Sequence, residues 1–161
     1  FEPYSKACLQ QKENTMSLID VLPSLSPYEP SILALALLCV AVLIQSFATA
    51  PLAFIKEEQA PGMPLKGDHE LLSFRVLRTH ANSVENLPLF GFSLLAAILA
   101  GSGPTLVNWL AGIHVASRLA FWVVYYSGVG KVAGGPRTIT FVGGALSNLV
   151  LACAALYSLV V

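Results

Sequence analysis

Three stretches of the chain are almost wholly apolar, and a fourth begins polar and turns apolar halfway along. Residues 32–55 are interrupted only by Gln45, Ser46, Thr49 and Pro51, and residues 105–126 by Asn108, His114, Ser117 and Arg118. Residues 141–161 include the pair Gly143-Gly144, which lets two helices approach closely. At about 1.5 Å of rise per residue, each run reaches across a hydrocarbon core of roughly 30 Å. The mixed stretch, 69–100, has its polar half first and its apolar half over 89–100.

The residues between these runs read as helix boundaries. Ser26-Pro27-Tyr28-Glu29 offers an N-cap, a first-turn proline and a capping-box carboxylate. Asp68 stands as N-cap of the second helix, Gly101-Ser102-Gly103-Pro104 as a tight turn into the third, and Pro136-Arg137-Thr138 as the opening of the fourth. Pro88 predicts a kink that frees the carbonyl of Val84 and opens space beside Glu85. Helices are therefore predicted over about 27–56, 69–100, 104–126 and 136–160. Short connections make the fold class all-α, an integral-membrane four-helix bundle of up-down topology with both termini on one side. Residues 1–25 lack a sustained period and are expected to form a flexible or partner-binding arm ahead of a domain at 26–161. Met16 precedes a plausible native start, which would make residues 1–15 a processed or extended leader.

Composition agrees with a multi-pass integral membrane protein in a lipid bilayer. Of 161 residues, 55% are hydrophobic and only 11% charged, and the mean hydropathy is +0.70. The formal net charge is zero, which argues against a nucleic-acid partner. Cys8, Cys39 and Cys153 are odd in number and far apart, so they suggest neither a disulfide framework nor a metal centre. Lys56, Lys66, Lys131 and Arg137 flank the connections after the first and third helices, which are expected on the cytosolic side.

The polar half of the second helix holds the candidate chemistry. At roughly 100° per residue, Arg75, Arg78, Asn82 and Glu85 fall within an arc of about 80°, with His80 pointing away. Arg118 lies inside the third span, where a charge costs about 2.5–3.5 kcal/mol at the bilayer centre, so it needs a partner; Glu85 is the expected one. Tyr125, seven residues on, shares the face of Arg118. Arg75, Arg78 and Arg137 come to one end of the bundle and suggest a pocket for a small anion bearing carboxylates and amides. Mutual pairing that merely holds the bundle together explains the same residues, and both readings stay open. His69, His80 and His114 do not converge at ligand spacing, so no metal site is expected.

The order Arg75-x-x-Arg78-Thr-His80-Ala-Asn82-x-x-Glu85-Asn-Leu-Pro, then Ser117-Arg118 with Tyr125, then Pro136-Arg137-Thr138, resembles the family of membrane-associated proteins in eicosanoid and glutathione metabolism (MAPEG), most of all its bacterial-type members. The resemblance implies a homotrimer of four-helix protomers with glutathione as co-substrate between subunits. It would place glutathione on Asn82 and Glu85, with Arg75 and Arg78 in support and Arg118 and Tyr125 lining the pocket. Thr138 and Arg137 would lie nearest the sulfur, Arg137 as the catalytic residue that stabilises the thiolate. The implied activity is that of a membrane-bound glutathione transferase or peroxidase acting on a lipophilic electrophile or hydroperoxide. The chain departs from the family pattern at Phe74, Ala81, Phe121 and Phe141, where active relatives often carry polar groups. The alternative is a non-catalytic member serving as a structural or accessory subunit of a larger membrane complex. A transporter is disfavoured, since no repeat of broken helices is evident.

Overall fold

The computed structural model describes residues 23–54, 67–130 and 134–161. The expected arm lies outside the described residues except for 23–25, as do Lys56, Lys66 and Lys131 in the connections. Among the described residues there are no strands, and the helices are α1 (Glu29–Phe54), α2 (Leu72–Leu99), α3 (Pro104–Ser127) and α4 (Pro136–Val160). All four are long and apolar enough to cross a membrane, so the chain is a four-helix, multi-pass membrane protein.

The helix starts differ from expectation in instructive ways. Residues Pro23–Tyr28 form a 3-10 turn, so α1 begins at Glu29 and Pro27 lies inside the turn rather than at the first α-helical position. With prolines at 23, 27 and 30, the missing N–H groups suit the short turn better than a continuous α-helical ladder. Asp68 does not cap α2: its Oδ1 accepts from the Glu70 N–H at 2.9 Å in a local turn, and the helix begins later, after Leu71. Pro104 opens α3 after Gly101, whose φ is +71°. α2 runs unbroken through Pro88.

The core follows one face of each helix. Phe90, Leu94 and Ala97 of α2 meet Val107 and Ala111 of α3, Leu151 and Ala155 of α4, and Leu38 and Val42 of α1. Large apolar side chains such as Phe47, Phe92, Leu99, Trp109 and Val123 point outward, the surface expected where lipid replaces water. Close approach of α3 and α4 rests on the two glycines: a Cβ on Gly143 would lie 3.0 Å from Ser117 Oγ, and one on Gly144 would lie 3.4 Å from Arg118 Cδ.

Polar ties fasten the two ends of the bundle. At one end the Tyr28 hydroxyl donates to the Ser102 carbonyl, Asn108 Nδ2 donates to the Pro27 carbonyl at 2.8 Å, and Ser102 and Ser158 share a hydrogen bond at 3.0 Å. At the other, Arg75 Nε donates to the Tyr126 carbonyl at 3.3 Å, and Arg75 Nη1 donates to the carbonyls of His69 and Glu70, both at 2.8 Å. Arg75 thus joins the approach to α2 to the C-terminal end of α3, whose orphan carbonyls favour a cation. Gly128 closes α3 at φ +71°, and a Cβ there would meet Arg75 Cζ at 3.1 Å. Gly128→Ala therefore combines left-handed backbone strain with a clash. It is expected to lower stability by about 1–2 kcal/mol, read from thermal unfolding in detergent.

Candidate functional site

Polar residues of α2 meet their needs largely within the bundle. Thr79 Oγ1 donates to the Arg75 carbonyl at 2.6 Å, Ser83 Oγ to the Thr79 carbonyl at 2.8 Å, and Asn86 Nδ2 to the Asn82 carbonyl at 2.8 Å. Such bonds back to residue i−4 make hydroxyl and amide groups tolerable inside a span. Trp122 Nε1 donates across to Ser83 Oγ at 2.9 Å, and His80 Nε2 lies 2.8 Å from Ser46 Oγ on α1. These contacts give His80 and Trp122 packing roles.

Arg118 is the largest of the fully buried side chains, at 2% exposure. Its Nη2 donates to Asn82 Oδ1 at 2.5 Å, and its Cζ sits 4.8 Å from the centre of the Phe121 ring. Glu85 is therefore not its partner, which corrects the expectation from sequence. The Glu85 carboxylate lies instead 3.9 Å from Arg78 Nη1, with both side chains about half exposed (59% and 46%). The exposed carboxylate and the buried amide, three residues and about 60° apart around α2, sit on either side of the boundary between its exposed and buried faces. Arg118 Nη1 and His114 Nε2 are buried with no hydrogen-bond partner among the described residues. His114 stacks flat on Phe90 at 4.0 Å and contacts the Gly144 carbonyl through Nδ1 at 3.0 Å.

A second cluster gathers where α2 and α4 begin and α3 ends. Pro136 starts α4, which turns the Arg137 side chain into the bundle at 4% exposure. Its Cζ lies 4.8 Å over the ring of Tyr125. Tyr125 Oη is 3.1 Å from His69 Nδ1, and Arg137 Nη1 is 3.4 Å from the same nitrogen. Phe74 meets the His69 ring edge-on at 5.0 Å, and Phe121 and Phe141 pack nearby, Phe121 at 5.1 Å from Tyr125. Arg137 Nε is buried without a partner among the described residues.

The predicted residues thus fall into separate groups. Arg137 and Tyr125 are in contact; Asn82 and Arg118 form a buried pair; Arg78 and Glu85 form an open one. Arg75 is held by three backbone carbonyls. Thr138 faces outward, its Oγ1 accepting from the Gly134 N–H at 3.0 Å. His69, which looks isolated in the sequence, is the residue that joins the Arg137 cluster. The signal that points to it is topological: it precedes α2 at the end where α3 finishes and α4 starts.

Burial, and after it the Arg137 guanidinium, hold His69 below the ordinary imidazole value of 6.5, against the opposing pull of Asp68. The unfolded chain thus takes up this proton at a higher pH than the folded one. The contribution of His69 to stability is complete above about pH 6.5 and is lost as the pH falls through the lower folded value. Thermal unfolding in detergent at pH 7.5 and 5 is expected to show a smaller acid loss in His69→Gln than in the unaltered protein.

No groups of His, Cys, Asp or Glu suited to a metal occur among the described residues. Their Cys39 and Cys153 are free thiols. What converges is a set of fixed donors beside a neutral imidazole, an arrangement suited to an anion with an ionisable proton.

A search of curated proteins returns no match. The profile of the MAPEG family, in contrast, matches residues 31–157, a span that takes in α2, α3 and nearly all of α1 and α4. On that match, which covers most of the chain and includes Arg75, Arg78, Asn82, Glu85, Arg118, Tyr125 and Arg137, the protein belongs to the MAPEG family.

Proposed function

We propose that this protein is a membrane-bound glutathione transferase or peroxidase that holds glutathione as its thiolate for attack on a lipophilic electrophile or hydroperoxide. The observation that carries this reading is the buried Arg137 guanidinium beside Tyr125 and His69 at one end of the bundle. A thiol with a pKa of about 8.5 is mostly protonated at neutral pH, and an adjacent guanidinium shifts it toward the nucleophilic thiolate. The unpartnered Arg137 Nε and Arg118 Nη1 supply donors, and the half-exposed Glu85 supplies an acceptor for the ammonium or amide N–H groups of the peptide. Arg78 beside it matches a carboxylate.

Glu85 lies 13 residues into α2 from Leu72, about 20 Å along the helix. A half-exposed carboxylate at that depth needs polar cover that lipid does not provide. We assign that cover to a neighbouring copy in a homotrimer of up-down bundles, with glutathione between the copies. For the second substrate, a groove of about 550 Å³ between α1 and α2, lined by Ala48, Leu52, Leu72, Val76 and Tyr126, opens at the same end and is mostly apolar. The membrane then joins a water-soluble thiol to an oil-soluble acceptor.

A non-catalytic role as a structural or accessory subunit draws on a different observation: Arg75, Asn82 and Arg118 are already engaged with protein groups. Isothermal titration of the detergent-purified protein with glutathione separates the two. The enzyme reading expects saturable heat with a micromolar-to-millimolar dissociation constant; absence of heat at saturating glutathione supports the structural role instead.

A further inference from the structure

We propose that His69 is the base that accepts the thiol proton of the bound glutathione, an inference that rests on the glutathione reading above and adds a residue to it. Arginine has only donors, so the contact from Arg137 Nη1 at 3.4 Å assigns the lone pair of His69 to Nδ1 and the proton to Nε2. The Tyr125 hydroxyl, at 3.1 Å, then donates to that same lone pair. One lone pair shared by two donors at these distances satisfies neither well, since a good bond of either kind is about 2.7–3.0 Å. The pocket therefore holds two donors and one acceptor around a single point, each underused.

A sulfur close enough to Arg137 to be stabilised by it is also within reach of Nδ1, because the two nitrogens are 3.4 Å apart. The transfer is then simple. The S–H bond breaks, an N–H bond forms at Nδ1, and the electron pair stays on sulfur. Protonated Nδ1 is no longer an acceptor, so the Tyr125 O–H and Arg137 N–H are released and turn to the thiolate. One event thus removes the proton and frees both donors for the charge it creates.

The surroundings suit a base that does not keep its proton. Tyr125 from α3, Arg137 from α4, and Asp68, Arg75 and Arg78 from its own segment are the titratable and charged groups that face His69 or act on it. Three of them are cations, which favours the neutral imidazole before substrate arrives, while a thiolate beside it joins Asp68 in offsetting them and supports the imidazolium. His69 precedes α2 outside the span and is only partly buried, so a proton taken from sulfur passes on to water.

The test is stopped-flow recording of the ultraviolet thiolate band after mixing the detergent-purified protein with glutathione, alongside calorimetric affinity. In His69→Gln the amide oxygen still accepts from Tyr125 and Arg137 but holds no proton. Glutathione affinity is expected to stay within about threefold, while the thiolate appears at least about tenfold more slowly and added imidazole restores the rate. In the unaltered protein, the rate should fall as the pH drops through the lowered value of His69, below the ordinary imidazole value of 6.5, a measurement that needs no variant. A variant as fast as the unaltered protein, or a flat rate profile below pH 6.5, overturns the role of His69 alone. No heat and no thiolate band in the unaltered protein overturns the glutathione reading and the His69 role together.

Discussion

Asn82→Leu is expected to destabilise the bundle by about 2–4 kcal/mol, seen as a lower denaturant midpoint in detergent. The Arg118 guanidinium is 2% exposed, and its hydrogen bond to Asn82 Oδ1 is the one made by its Nη2. Its Nη1 has no partner among the described residues, so losing the amide leaves only the face of Phe121, 4.8 Å away, to compensate a buried cation. Leucine keeps the branched outline of asparagine but carries bulkier methyl ends, so an electrostatic loss has to be separated from a steric one. Two further variants test this cause. Arg118→Met removes the buried charge together with its need for a partner and is expected to cost less than Asn82→Leu. The double variant should be more stable than Asn82→Leu alone, which additive packing losses would not produce. An Asn82→Leu protein as stable as the unaltered one would contradict the pairing.

Under the proposed function, Arg137→Ala is expected to give the second large effect, and it falls on activity. With the guanidinium gone, the glutathione thiol returns toward its ordinary pKa of about 8.5, and kcat/KM at pH 7 is expected to fall about 10²-fold. The sign of the pH dependence separates this cause from general damage. Above pH 8.5 the thiol ionises unaided, so the deficit should shrink as pH rises through about 9. Misfolding would leave a deficit that does not shrink with pH, and size-exclusion chromatography in detergent checks it independently. A pH-independent loss in a correctly assembled variant would contradict thiolate stabilisation by Arg137.

The helices are legible in the sequence because each apolar run is long enough to cross a bilayer and is bounded by Pro, Gly or charge. That Arg118 needs a partner is legible for the same reason. Which partner it has is not, since Asn82 and Glu85 lie only about 60° apart around α2 and a small rotation of that helix exchanges them. The rotation is set by the buried stripe Phe90, Leu94 and Ala97. Stepping that stripe back by fours from Phe90 reaches Asn82 and not Glu85. Exposed Leu89, Phe92, Leu95 and Leu99 hide the stripe in the sequence, because lipid-facing and core-facing residues are equally apolar.

The candidate site was partly legible in the same sense. Arg137 and Tyr125 stand out as polar groups at one end of apolar helices, and the family resemblance names them. His69 does not stand out, because its partners lie 56 and 68 residues away in the chain. Arg75 looks like a ligand-binding residue from its spacing, and only the fold shows that carbonyls at the end of α3 and just before α2 take up its donors. Phe74, Phe121 and Phe141, at positions where the family resemblance leads one to expect polar groups, pack as an apolar rim near the Arg137 cluster. Such a rim lowers the local dielectric and strengthens the hold of a guanidinium on a thiolate.

The most direct measurement of that hold is the ultraviolet difference spectrum of the unaltered protein at pH 7 with saturating glutathione. Thiolate formation at Arg137 predicts a thiolate band that grows with glutathione and saturates at the protein concentration. Glutathione that binds without any thiolate band, or does not bind at all, would contradict it.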